Sequence, residues 1–189
     1  MIKQIRGASP CFKARMAGVF YLFSVATGAF GETLVRGKLF YAVGLIPVLC
    51  FAVVTLLLYS ILRPVNRSVA MFAALSNLVC LAFEAMYLHH QFHRQGVNKA
   101  LVFHAFYCLL IGYLVFRATF LPRMLGPLMM LAGLSWLPTS LPSPLVHSLH
   151  SYSLAVGLLG EGSLMLWLLV MGVNVQRWKE QAEVAVQCQ

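Results

Sequence analysis

Glu161 is the residue whose type and position point most directly to chemistry. It lies inside the apolar run 150–175, within the segment GLLGEG. If this run crosses a bilayer, a central ionisable group costs at least about 2.5–3.5 kcal/mol and needs a reason. The three glycines around it allow neighbouring helices to approach closely, or leave a cavity beside the carboxyl group. His150 lies eleven residues earlier, close to three helical turns, so the two residues share one helix face.

A polar stripe follows the apolar run 68–92. Asn77, Glu84 and Gln91 are spaced by seven residues, which places them on one face of a helix. Such a stripe on a membrane helix faces protein or water rather than lipid. It indicates either a ladder of hydrogen bonds between helices or the lining of a polar pocket.

His104 and Glu32 are further candidates for this pocket. His104 lies about two turns inside the run 98–118, with Cys108 on the same side, and is a candidate partner for Glu84 at similar depth. Glu32 is followed four residues later by Arg36, so an ordinary pair on the helix surface is the alternative. The predicted pocket, in the outer half of the protein, is lined by Glu161, Glu84, His104, Asn77, Glu32 and His150.

Metal and nucleotide motifs are weak in this sequence. His89 and His93 have the i,i+4 spacing that can chelate a metal, but they also lie where a helix would leave the membrane and polar residues are normal. The five cysteines form no CxxC pair. The chain lacks a nucleotide-binding loop and contains no Asp, which excludes paired-aspartate magnesium motifs. We therefore expect no resident metal and no cofactor.

Composition determines which elements must position these residues. The 189 residues are 60% hydrophobic and 10% charged, against about 45–50% apolar and about 25% charged in an ordinary soluble domain. This excludes a soluble enzyme, a disordered tail and a nucleic-acid-binding domain. Six apolar runs are each close to the ~20 residues that cross a bilayer. They are residues 16–35, 40–62, 68–92, 98–118, 123–141 and 150–175.

These six runs predict the fold class, an all-α polytopic integral membrane protein that forms a bundle of six transmembrane helices. The transmembrane domain covers residues 16–175, after a basic segment 1–15 and before a tail 176–189. Ten of the fourteen Lys and Arg fall on the side that holds the N-terminus, which predicts that both termini are cytoplasmic in an inner membrane. The expected partners are the lipid bilayer and a lipid or small-molecule ligand, not nucleic acid. No pattern indicates an oligomeric state.

Four segments resemble a known family. They are ARMAG from Ala14, ILRPVNRSVA from Ile61, GYLVFRATFLPRMLGPLMMLAGLSWL from Gly112 and GEGSLMLWLLVMGVNVQRW from Gly160. Together they resemble the bacterial multi-span membrane family catalogued as domain-of-unknown-function 4386, over residues 13–178. The resemblance implies a six-helix membrane fold and brings no activity with it.

Three classes of function fit these residues. The first is a protein that binds or translocates a proton, a cation or a small polar solute at Glu161 and Glu84; Pro47 inside the second run favours it, because broken helices often form such sites. The second is a membrane-embedded enzyme acting on a lipid or isoprenoid, with a glutamate as general acid and His104 as base. The third is a structural or assembly protein in which the polar groups only tie helices together.

Overall fold

The computed structural model describes residues 9–34, 38–90, 99–140 and 144–187. Within these ranges the chain forms seven helices and no strand. Helices α1 to α6 coincide with the six predicted apolar runs, and the tail forms a further short helix, α7. The helices are α1 (Pro10–Leu34), α2 (Lys38–Leu62), α3 (Arg67–His90), α4 (Lys99–Arg117), α5 (Leu125–Thr139), α6 (Pro144–Val170) and α7 (Val175–Gln187).

Among the described residues, four helices contain segments long and apolar enough to cross a membrane. These segments are Val43–Leu62, Arg67–Leu88, Lys99–Arg117 and Tyr152–Val170, and α5 is a shorter apolar helix. Large apolar side chains point outward from them, for example Leu49, which is 64% exposed, and Phe72, which is 60% exposed. Many exposed apolar side chains are unfavourable in water and suit hydrocarbon. The protein is an α-helical membrane protein.

Helices α1 to α6 pack in the order in which they occur in the chain. Each of α1 to α6 contacts the next, and α6 also packs against α1, which closes the arrangement into a ring. Short connections favour neighbouring antiparallel helices. The interior contains large side chains that are almost fully buried, among them Tyr21, Leu58, Tyr107, Met129 and Leu164.

Glycine allows α5 and α6 to approach closely. A Cβ atom on Gly160 would collide with the backbone carbonyl of Leu128, and one on Gly157 would lie 2.7 Å from the indole ring of Trp136. A Cβ atom on Gly162 would meet open space. Two of the three glycines around Glu161 therefore serve close helix contact, as small residues do between membrane helices.

The start of α1, the end of α2 and the final helix α7 lie at one end of the bundle. Gly172 ends α6 with φ +69° and donates its backbone N–H to the carbonyl of Trp167 at 3.0 Å, a helix ending that favours glycine. The chain then turns so that Trp178 Nε1 donates to the carbonyl oxygen of Ile61 at 2.8 Å. Cys11 of α1 lies next to Gly172. These contacts fix α7 against the bundle.

At its other end, α6 begins at Pro144, six residues before the start predicted from the sequence. Proline suits the first turn of a helix, because its missing N–H would have no partner there and its φ is already helical. Because α6 also ends at Val170, five residues before the predicted end, the apolar pattern gives nearly the right length and places the helix too late in the chain.

Candidate functional site

A buried carboxyl group from α6 is the centre of the polar interior. Glu161 is 9% exposed and receives hydrogen bonds from the Tyr21 hydroxyl group at 2.5 Å and from Trp136 Nε1 at 2.6 Å. His104 Nε2 lies 3.0 Å from the same oxygen, Oε1, that accepts from Trp136. The hydrogen-bond donors to the Glu161 carboxyl group therefore come from other helices rather than from α6.

Four different helices supply this centre. Tyr21 comes from α1, His104 from α4, Trp136 from α5 and Glu161 from α6. A polar network in a low-dielectric interior is strong when every member is satisfied, and each member fixes the position of the others. The network therefore ties these four helices together around Glu161.

The fifth helix at the centre, α2, contributes an aromatic wall. The Phe51 ring packs edge-on against Tyr21 with ring centroids 5.0 Å apart, and its centroid lies 5.7 Å from that of His104. Trp136 packs edge-on against His104 at 6.1 Å. Apolar walls exclude water and lower the local dielectric, so electrostatic interactions at Glu161 are stronger than in water.

A thiol group lies beside the carboxyl and imidazole groups. Cys108 Sγ is 3.6 Å from His104 Nε2 and 3.9 Å from Glu161 Oε1. His104 and Cys108 are one helical turn apart on α4, so both side chains leave the helix on the same face. Carboxylate, imidazole and thiol are all able to bind a cation, and here they converge.

Asn77 belongs to a separate hydrogen-bonded group between α2 and α3. Its Nδ2 donates to Thr55 Oγ1 at 2.5 Å, and Thr55 donates to the carbonyl oxygen of Phe51 at 2.8 Å. Within the described ranges, Asn77 Oδ1 and the Tyr107 hydroxyl are buried side-chain atoms without a hydrogen-bond partner. The bond from Asn77 to Thr55 joins α3 to α2, and the bond from Thr55 to Phe51 lies within α2.

The other predicted site residues are only partly described. Glu84 is half-buried on α3 and interacts with another group. The side chains of three residues are outside the described part of the structure, although their backbones lie in helices: Glu32 in α1, His89 in α3 and His150 in α6. His93 lies in the interval 91–98, which is also outside it. The structure therefore describes the side chains of four of the six predicted pocket residues, namely Glu161, His104, Asn77 and Glu84.

Sequence reasoning did not assign Tyr21, Trp136 or Cys108 to the site. Two of them carried a usable signal, because a hydroxyl or indole N–H inside an apolar run must find an acceptor when it is buried. The signal predicts that an acceptor exists but not which residue provides it. Tyr21 and Glu161 are 140 positions apart in the chain.

Comparison with known proteins finds similarity to a family of unknown function. Residues 81–172, just under half of the chain, match the model of a family described as Domain of unknown function (DUF4386). An uncharacterized protein from Archaeoglobus fulgidus is 26% identical over 126 residues, which cover 63% of this chain and 75% of the relative. No solved structure matches.

The matched segment contains His104, Cys108, Trp136 and Glu161, so it includes four of the five residues of the polar centre, and Tyr21 lies before it. The relationship to the uncharacterised DUF4386 family that the sequence motifs predict is confirmed over residues 81–172.

Proposed function

We propose that this membrane protein binds a cation inside its helix bundle, with Glu161 as the binding group. The observation that carries the proposal is the set of partners around the buried carboxyl group. They are Tyr21, Trp136, His104 and Cys108, and none of these side chains carries a permanent positive charge. Buried charges in proteins are paired or coordinate metal ions. A bound cation would supply a positive charge that does not depend on protonation of His104.

A purely structural role is the competing function, and one observation favours it. Three hydrogen-bonding side chains from three helices already contact the Glu161 carboxyl group. Such contacts tie helices together without any ligand. The two functions differ in what happens when a cation is added, because only a binding site links the stability of the fold to cation concentration.

The test is the melting temperature of the purified protein in detergent micelles with Na⁺, K⁺, Mg²⁺, Mn²⁺ or Zn²⁺ added in turn. A cation present at a hundredfold excess over its Kd stabilises the folded state by about 2.7 kcal/mol, which corresponds to a rise in Tm of roughly 5–10 °C for a chain of this length. We expect at least one of the five ions to produce this rise. Glu161→Gln should remove it, because the amide keeps the shape of the side chain and loses its charge.

Glu180→Gln is the matched control, because Glu180 is exposed on α7. It should respond to cations as the wild type does. If none of the five ions raises Tm in the wild type, or if Glu161→Gln responds equally, cation binding at Glu161 is wrong and the structural role is supported.

We further propose that α1 and α5 complete a six-span bundle in the cytoplasmic membrane, with both termini on the cytoplasmic side and the bilayer as the principal partner. The closed packing of α1 to α6 supports six spans. The contact of Gly172 with Cys11 supports placing the start of α1 and the end of α6 at the same face. The excess of Lys and Arg at that face supports a cytoplasmic orientation.

Reporter fusions test this topology. A reporter that is active only in the cytoplasm should work when fused after Gln189, and one that is active only outside the cytoplasm should work when inserted between Leu141 and Ser143. The expectation rests on the basic residues beside the spans, which are retained on the cytoplasmic side during insertion. The reverse pattern of activity would overturn the orientation, and equal activity of one reporter at both positions would overturn the assignment of α6 as a membrane-crossing span.

A further inference from the structure

Three ligand atoms of different chemistry meet at the centre of the bundle. They are Nε2 of His104, Sγ of Cys108 and Oε1 of Glu161, and all lie within 4.8 Å of one another. From their geometry we infer that the cation of the proposed site is a divalent transition metal of the zinc type, coordinated by these three atoms. The inference rests on the proposed function and specifies its ligand.

The distances suit a metal of that size. The three atoms form a triangle with sides of 3.0 Å from nitrogen to oxygen, 3.6 Å from sulfur to nitrogen and 3.9 Å from sulfur to oxygen. The point equidistant from its corners lies about 2.1 Å from each, which is within the usual Zn–N and Zn–O bond lengths and about 0.2 Å short of Zn–S. The two longer sides of the triangle meet at the sulfur atom, which is what the longer Zn–S bond requires. This point lies in the plane of the three atoms, so a tetrahedral metal needs the N–O distance to widen and the S–O distance to shorten by a few tenths of an ångström each.

The chemistry of the ligand atoms selects against the abundant hard cations. Ca²⁺ and Mg²⁺ are bound through oxygen atoms, and this site offers one carboxylate oxygen beside a nitrogen and a sulfur. Thiolate and imidazole together favour zinc and neighbouring transition metals. His104 and Cys108 are also preorganised, because they lie one turn apart on the same helix face.

Charge balance favours the same ion. A divalent metal bound by one carboxylate and one thiolate forms a site with no net charge. A neutral group is far less costly to hold in a low-dielectric interior than an isolated ion. Na⁺ or K⁺ would balance Glu161 alone and would not use the thiol of Cys108.

The surroundings of Glu161 resemble the outer shell of a metal site. Tyr21 donates to Oε2, the oxygen that the metal would leave free, and Trp136 donates to Oε1. Hydrogen bonds of this kind orient a ligating carboxylate and tune its basicity. Three protein ligands leave a fourth tetrahedral position for water or a small molecule, as in zinc sites that act on a ligand.

Cobalt titration tests this inference, because Co²⁺ adopts the geometry of zinc and reports its ligands by absorption. Metal-free wild-type protein in detergent micelles should bind one equivalent of Co²⁺ with a thiolate-to-cobalt charge-transfer band, and added Zn²⁺ should displace it. Cys108→Ser should lose the band. The matched control is Cys50→Ser on α2, which should keep it.

Two more variants keep the test decisive if Cys108→Ser fails to fold. His104→Gln and Glu161→Gln should each weaken Co²⁺ binding by more than about tenfold, since even outer-shell changes cost about 10–100-fold. Absence of a thiolate band in the folded wild type would overturn the zinc-type assignment, and a rise in Tm with Na⁺ or Mg²⁺ that needs Glu161 would still support the proposed function. If Glu161→Gln still bound Co²⁺ with the charge-transfer band and with unchanged affinity, the three-ligand site and the role of Glu161 in the proposed function would both be overturned.

Discussion

Replacing Glu161 with leucine is expected to lower the free energy of unfolding by about 3–5 kcal/mol, because several buried polar groups would lose the acceptor that they share. The carboxyl group accepts from Tyr21 and Trp136 and contacts His104. Leucine would leave these groups buried without an acceptor, and each unsatisfied polar group costs about 1–3 kcal/mol. Because these polar groups come from three helices, the loss of their shared acceptor should loosen the whole bundle.

Thermal unfolding in detergent micelles, followed by circular dichroism, would measure this effect. Glu161→Gln should be considerably more stable than Glu161→Leu, because the amide oxygen still accepts a hydrogen bond. Glu180→Leu is the control for removing a carboxyl group, and it should melt near the wild type because Glu180 is exposed. Equal melting of Glu161→Leu and Glu180→Leu would contradict the view that the hydrogen bonds at Glu161 hold the helices together.

The second large effect is expected at Gly160. Gly160→Ala should destabilise the protein by about 1–3 kcal/mol, the usual cost of overpacking a close contact. The added methyl group would collide with the carbonyl oxygen of Leu128, which is a backbone atom and cannot move without shifting α5. A shift of α5 also displaces Trp136, so the hydrogen bond to Glu161 should lengthen as well.

Gly162→Ala is the matched control, on the same helix and two residues away. Its Cβ atom would meet open space, so the substitution should be neutral or stabilise by up to about 1 kcal/mol through its higher helix propensity. The comparison uses the melting temperatures of both variants and the fluorescence of Trp136 in a background without other tryptophans. A Gly160→Ala protein as stable as Gly162→Ala would show that α5 and α6 do not pack as closely as described.

The sequence was sufficient to predict the helices, because insertion of a segment into a membrane depends on the local run of residues. About 20 consecutive apolar residues are enough to predict a span, and the described helices α2, α3, α4 and α6 contain such segments. Helix ends were less predictable. α6 starts at Pro144 because proline fits a first turn, and it ends before Gly172 because that residue adopts a positive φ. Such effects belong to single residues and are not visible in average hydropathy.

The polar centre was only partly predictable from the sequence. Type and position in an apolar run identified Glu161 and His104 as residues that need partners, since an ionisable group in hydrocarbon is costly. Similar depth suggested Glu84 as the partner of His104, and the contact that the structure describes for the His104 ring is with Glu161, 57 positions away. Depth can be counted along one helix, but the rotation of that helix about its axis cannot.

Tertiary structure alone decided which helices surround Glu161. Tyr21 reaches it from α1 because α6 packs against α1 and closes the ring, and Trp136 reaches it because Gly157 and Gly160 allow α5 to approach. The same packing brings the thiol of Cys108 to within 3.9 Å of the carboxyl group. Each contact depends on the distance and rotation of two helices, which are set by side-chain packing between distant segments and have no counterpart in the local pattern of the sequence.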